Sequence, residues 1–266
     1  MPITSLSGIA AVALYLLTLG LQNQSLKNGT GRQRTQNRVM IPGLIALLAH
    51  GVSAWSLIYR DSAYHFGITE ISTLIFASIV LVTLLSSARR PTGNLILWVF
   101  PLAIASIVLS LLFSSNYPPA QLDSGLATHV ILSIVAYSLF SVAALQSCLL
   151  AIQNYQLKHH HVAAVMKKFP PLQDMEKFLF ELLWVAQILL SLAIVTGFIF
   201  IRDYSTQGLA HKMFFSLLAW MVFSGLLWGR HKLGWRGQTA IRGTISGFVL
   251  LLLGFYGSKF VLEFVL

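Results

Sequence analysis

The eight histidines are the side chains of this sequence with most chemistry to offer, and they fall into two groups. His159, His160 and His161 run together in a basic stretch, and His231 stands between Arg230 and Lys232. These read as solvated charge runs, with a metal-binding tract as the alternative. His50, His65, His129 and His211 instead lie in or beside long apolar runs. A neutral imidazole in such surroundings is an axial ligand for haem iron, or else a hydrogen-bonding group between helices; residue type alone leaves both open. Helical spacing sets Ser133, Tyr137 and Ser141 below His129, and Phe214, Phe215 and Leu218 beside and after His211. An aromatic, apolar wall of that kind suits a porphyrin. His50 shares one helical face with Gly43, Ala46, Ser53 and Ala54, where it is a second ligand, a relay toward the outer site or an interhelical hydrogen bond.

Other chemistries lack their residues. There is no paired nucleophile and base, no phosphate-binding glycine loop and no His-Glu-x-x-His motif, so the expectation is a protein that is not an enzyme. The single cysteine, Cys148, sits inside an apolar run; it excludes an intrachain disulfide and a thiolate cluster and reads as a small packing residue.

The elements that must position these histidines follow from composition. Apolar residues make up 56% of the 266 and charged residues 10%, against roughly 25% charged in a soluble domain. A bilayer core about 30 Å thick needs about 20 apolar residues per helix. Eight runs qualify: 3–21, 40–59, 68–87, 95–113, 126–154, 178–201, 210–228 and 240–265. The predicted fold is all-α, a polytopic bundle of eight transmembrane helices forming a single transmembrane domain over 1–266. The fifth run, at 29 residues, is long for a bilayer and must tilt or project. The first twenty residues lack the charged start and the cleavage site of a removable signal peptide. The net charge of +10 resides in short clusters between spans, a pattern of topology signals that does not point to nucleic acid.

Those clusters orient the chain. Of the 18 basic residues, 14 fall in the first, third, fifth and seventh loops; only Arg60, Arg202, Lys212 and Lys259 lie on the other side. Positive charge marks the cytoplasmic loops, so both termini are expected outside, on the periplasmic face of a bacterial inner membrane. His129 and His211 then open two helices that enter from outside, which brings their imidazoles to one depth, while His159 to His161 and His231 fall to the cytoplasm. Charges within or near the spans matter by depth. Glu181 and Glu70 are expected in the first turns of their helices, where a carboxylate suits the dipole, and Glu263 is placed to pair with Lys259 four residues earlier. A stripe of Gly243, Gly247, Gly254 and Gly257 in the last span offers a close-packing face.

The segment from His129 through Val130, Ile131, Leu132, Ser133, Ile134, Val135 and Ala136 to Tyr137 resembles the haem-handling helix of the CcsA/CcmC-type cytochrome c assembly proteins. The stretch from Gly229 to Ala240, with Gly247-Phe248 and Tyr256-Gly257, is similar to the last cytoplasmic loop and final helix of that family. Through His211-Lys212, Leu218-Ala219-Trp220 and the terminal Gly257 to Glu263, the match looks like the YpjD/HemX-like branch. The resemblance implies b-type haem near the outer face and a part in haem handling or cytochrome c maturation, with His129 carried over as the first outer histidine. The family's tryptophan-rich outer loop corresponds here to Arg202–Gly208, which has no tryptophan.

The leading expectation is a haem-binding accessory protein that uses His129 and His211 as axial ligands of haem b, with His50 in support. Its partners would be the lipid bilayer and either cytochrome c assembly components or a haem-synthesis enzyme. A transporter or ion-path subunit using His50 is the second reading, although the two halves show no inverted repeat. A regulatory or scaffold protein of haem synthesis, acting through the basic loops, is the third.

Overall fold

The computed structural model describes residues 2–28, 32–89, 93–113, 115, 118–119, 123–159, 170–200 and 209–260. Within them lie eight helices long and apolar enough to cross a membrane, as the eight apolar runs predict. They are α1 (Pro2–Asn28), α2 (Arg32–Ile58), α3 (Ile68–Arg89), α4 (Gly93–Leu112), α5 (Ser124–Lys158), α6 (Leu172–Phe200), α7 (Leu209–Leu233) and the span Gln238–Phe260, whose first part is α8 (Gln238–Leu252). A two-residue hairpin, β1 (Tyr59–Arg60) with β2 (Ala63–Tyr64), joins α2 to α3. Beyond Leu252 the last helix widens into a π turn, Leu253–Gly257.

The chain packs as two compact units, Met1–Gln121 and Leu122–Leu266. In the first, α1 lies against α2 and α4, α2 against α3, and α3 against α4. The outward faces carry large apolar side chains such as Leu48, Trp55 and Leu85. The interior mixes small and polar residues, Ala46, Ser53, Ala54, Thr73 and Thr83, with large ones such as Tyr15, Leu84, Phe100 and Ile107. Apolar residues on both sides with small and polar ones between helices are expected in lipid, where tails are as apolar as leucine and helices associate through close packing and hydrogen bonds. The hydroxyls of Thr18, Thr73 and Thr83 are satisfied by carbonyls one turn back.

The hairpin is fixed by charge. Glu70, in the first turn of α3, is 2% exposed and lies 3.6 Å from the Arg60 guanidinium. Its carboxylate also accepts from the Thr69 hydroxyl (2.9 Å) and the Ser115 amide (3.4 Å). The helix dipole expected for Glu70 is therefore joined by an ion pair that ties the hairpin to α3. Asp61 and Ser62 turn it in the left-handed region, at φ of 54° and 60°, which costs a non-glycine residue about 1–2 kcal/mol each.

In the second unit α5 lies against α6 and α8, α6 against α7, and α7 against α8. α5 has 35 residues, longer than its apolar run. α6 begins at Leu172, six residues before the apolar run does, which corrects the placement of Glu181. That residue sits in the third turn, exposed, and Asp174 is the acid of the first turn. The helix continues outward because its early polar residues Gln173 and Asp174 stay exposed. The glycine stripe of the last helix receives side chains of α7: Leu226 at Gly243, Phe223 at Gly247 and Phe215 at Gly254, while among the described residues nothing lies within 4 Å of Gly257. Glu263, His160, His161 and the loop Arg202–Gly208 lie outside the described residues.

Candidate functional site

Asp123 caps α5 by accepting the Leu126 amide at 2.7 Å, and this start sets His129 in the second turn. Its side chain turns onto the end of α6. Nδ1 lies 2.8 Å from the Ala193 carbonyl oxygen and 3.4 Å from the Thr196 hydroxyl, which itself donates to the carbonyls of Leu192 and Ala193. A carbonyl can only accept, so Nδ1 carries the proton and Nε2 keeps its lone pair. This Nδ1–H to carbonyl bond is the arrangement that orients a ligating histidine and makes its other nitrogen more basic. Among the described residues no hydrogen bond engages Nε2.

Two glycines allow the helices to approach there. A Cβ at Gly197 would stand 3.0 Å from His129 Cε1, and one at Gly125 would stand 2.3 Å from the Phe200 ring. Each helix thus supplies a notch for a ring of the other. Below, Ser133 donates to the His129 carbonyl at 2.7 Å, and Tyr137 packs among Phe248, Phe255 and Tyr256 at ring-centroid distances of 6.0, 5.7 and 6.3 Å. The last two rings project from the π turn, a widening often found at functional sites. Farther in, Phe140 and Phe223 stack at 4.0 Å and close the space between α5 and α7.

His211 is exposed, at the start of α7. α6 serves as a ruler for its depth. Gln187 donates to the Trp220 carbonyl at 3.2 Å, and Trp220 Nε1 donates to Ser191 at 2.8 Å, which fixes the register of α7 on α6. His211 precedes Trp220 by nine residues, about 13.5 Å along a helix; the same rise along α6 from Gln187 leads to Thr196, beside His129. The register places both imidazoles at one end of the unit and within about a turn of the same level. No described contact joins them directly.

The remaining histidines lie elsewhere. His50 is fully buried in the first unit, where Nδ1 and the Tyr15 hydroxyl share a 3.1 Å hydrogen bond between α1 and α2. Of its three sequence roles, the interhelical bond is the one displayed. All its companions on that face, Gly43, Ala46, Ser53 and Ala54, are buried too. His65 donates its backbone amide to Ile58 at 2.8 Å, beyond the hairpin. His159 closes α5, with Nδ1 2.9 Å from the Tyr155 carbonyl, and His231 is exposed. Among the described residues no three His, Cys, Asp or Glu side chains converge as a metal cage.

Sequence reasoning missed the supports of His129. Nothing marks Ala193 as a carbonyl partner, although Gly197 in a run of bulky residues was a visible signal of close approach. It also missed Glu176, 5% exposed, at the opposite end of the unit, which holds Arg230 at 2.6 Å and Arg236 at 3.4 Å.

Residues 39–266 match the family model described as "Cytochrome C assembly protein". The chain is 28% identical over 270 residues to the inner membrane protein YpjD of Escherichia coli K12, covering all of both chains. It is also 28% identical over 199 residues to protein HemX of Brevibacillus brevis, covering 71% of this chain and 73% of that one. A 28.8 kDa protein of Azospirillum brasilense is 26% identical over 84% of this chain and 85% of its own length. No solved structure matches. The eight spanning helices and the family match over most of the sequence agree, and the chain belongs to the cytochrome c assembly protein family.

Proposed function

We propose that this protein is a non-enzymatic haem-binding protein of the bacterial inner membrane that serves haem handling or cytochrome c assembly. Its b-type haem is held near the outer face by His129 and His211. The observation that carries this reading is the hydrogen bond from His129 Nδ1 to the Ala193 carbonyl, which fixes the tautomer and leaves Nε2 bare as a ligand. Two histidines, with no wider donor cluster among the described residues, fit a metal whose macrocycle brings its own nitrogens. When bound, haem supplies a redox-active iron. The chain's residues do the rest: His129 is oriented by Ala193 and Gly197, His211 is open to approach, and Tyr137 with the rings of the π turn offers an apolar wall. His50 supports the first unit through Tyr15.

The orientation follows from the basic loops, with both termini outside, and partners among cytochrome c assembly components or haem-synthesis enzymes follow from family membership. The test is an absorption spectrum of the protein purified after expression with ample haem. The reduced protein is expected to show the split visible bands of bis-histidine haem, with His129→Ala and His211→Ala each diminishing them. Colourless protein sinks the reading, and so would a fusion reporter that places the termini in the cytoplasm.

A further inference from the structure

The corner between α7 and α8 is built around one buried carboxylate and two guanidiniums, and the haem reading makes no use of it. Glu176 Oε1 accepts from Arg230 at 2.6 Å and from Arg236 Nε at 3.4 Å. Arg230 is held on three sides: Nη1 also donates to the Trp235 carbonyl at 3.1 Å, and its guanidinium lies 4.5 Å from the centre of the Phe180 ring. Arg236 is spent only at Nε. Its side chain is 60% exposed, and among the described residues its two terminal NH2 groups make no hydrogen bond.

The backbone holds this arrangement in place. Gly234 and Gly237 turn the chain at φ of 66° and 55°, values that glycine adopts without steric cost. The Trp235 amide donates back to Gly229 at 3.2 Å, and its indole lies where any side chain at Gly229 would stand, 2.3 Å from that Cβ position. Around the corner Lys232 and Arg242 are exposed, as are Trp228, Leu233 and Trp235. One carboxylate against two guanidiniums leaves the cluster with a net positive charge that the neighbouring basic residues enlarge. Because the corner joins two spanning helices, it stands at the bilayer surface, where tryptophans settle at headgroup depth and lipid phosphates are the abundant anions.

We infer that this corner is a binding site for the phosphate of an anionic phospholipid, gripped by the fork of Arg236 and by Lys232, with Trp228 beside the upper acyl chain. Glu176 is a positioning residue that aims the fork outward.

The test uses the full chain, delipidated in detergent and titrated with phosphatidylglycerol or phosphatidylcholine, with bound lipid counted by native mass spectrometry. Phosphatidylglycerol is expected to bind at least about tenfold more tightly than phosphatidylcholine, whose phosphate is offset by a choline ammonium that the surplus cations of the corner repel. Arg236→Gln is expected to remove most of that preference, and Lys158→Gln, an exposed cation on α5, to leave it intact. Equal binding of the two lipids overturns the site, as does an Arg236→Gln variant that keeps the preference or a Lys158→Gln variant that loses it equally. Full displacement of phosphatidylglycerol by millimolar glycerol phosphate overturns the lipid as ligand in favour of a soluble phosphate.

Discussion

A single methyl group added at Gly197 separates support of the His129 ring from support of the helix. Built on the backbone, the Cβ of Gly197→Ala stands 3.0 Å from Cε1 and 3.2 Å from Nδ1 of His129, where ordinary contact begins at 3.4 Å. The ring must retreat by about 0.4 Å, and its bond to the Ala193 carbonyl, now 2.8 Å, lengthens toward the limit of useful geometry. Losing a bond of that kind is worth about 1 kcal/mol, or about fivefold in affinity. The helix itself is helped, since alanine is better than glycine in a helix interior by about 0.8–1.0 kcal/mol. The variant is therefore expected to bind haem about fivefold more weakly while melting no lower than the parent. The assay is titration of haem into apoprotein in detergent, followed at the Soret band, beside a thermal melt of the same preparation. Wild-type affinity with an unshifted band would refute the role given to His129, and a loss of affinity matched by a fall in melting temperature would mean general damage.

Gly247→Val drives a Cβ to within 2.6 Å of Phe223, which is fully buried and stacked on Phe140; overpacking of this kind costs about 1–3 kcal/mol. A clear drop in melting temperature is expected, with no drop for Gly257→Ala, and equal effects would contradict the packing described. Glu70→Ala strips the Thr69, Ser115 and Arg60 contacts from a buried position at a cost of about 2–3 kcal/mol, whereas Glu70→Gln keeps an acceptor and should lose about half as much. Limited proteolysis at Asp61–Ser62 reads the release of the hairpin, and indistinguishable variants would count against charge as its anchor.

Which parts of this structure were legible in the sequence depends on how far each cause reaches along the chain. The spans were legible because bilayer thickness dictates the length of an apolar run, and the His50 stripe because residues that share a helical face are close in sequence. The glycine stripe was legible only as far as the helix stayed regular. Gly243, Gly247 and Gly254 receive side chains of α7, but the π turn at Leu253–Gly257 changes the angle per residue, and among the described residues nothing reaches Gly257. The start of α6 was misplaced because its first turns are polar, and what buries Glu176 among them is a pair of arginines 54 and 60 residues away. His129 follows the same logic. Its depth could be read from the apolar run that it opens, but its acceptor is a backbone carbonyl 64 residues on, and a carbonyl leaves no mark in a sequence. Residue type told where an imidazole stands; which of its nitrogens is bare is decided by that carbonyl, and the haem reading rests on the bare one.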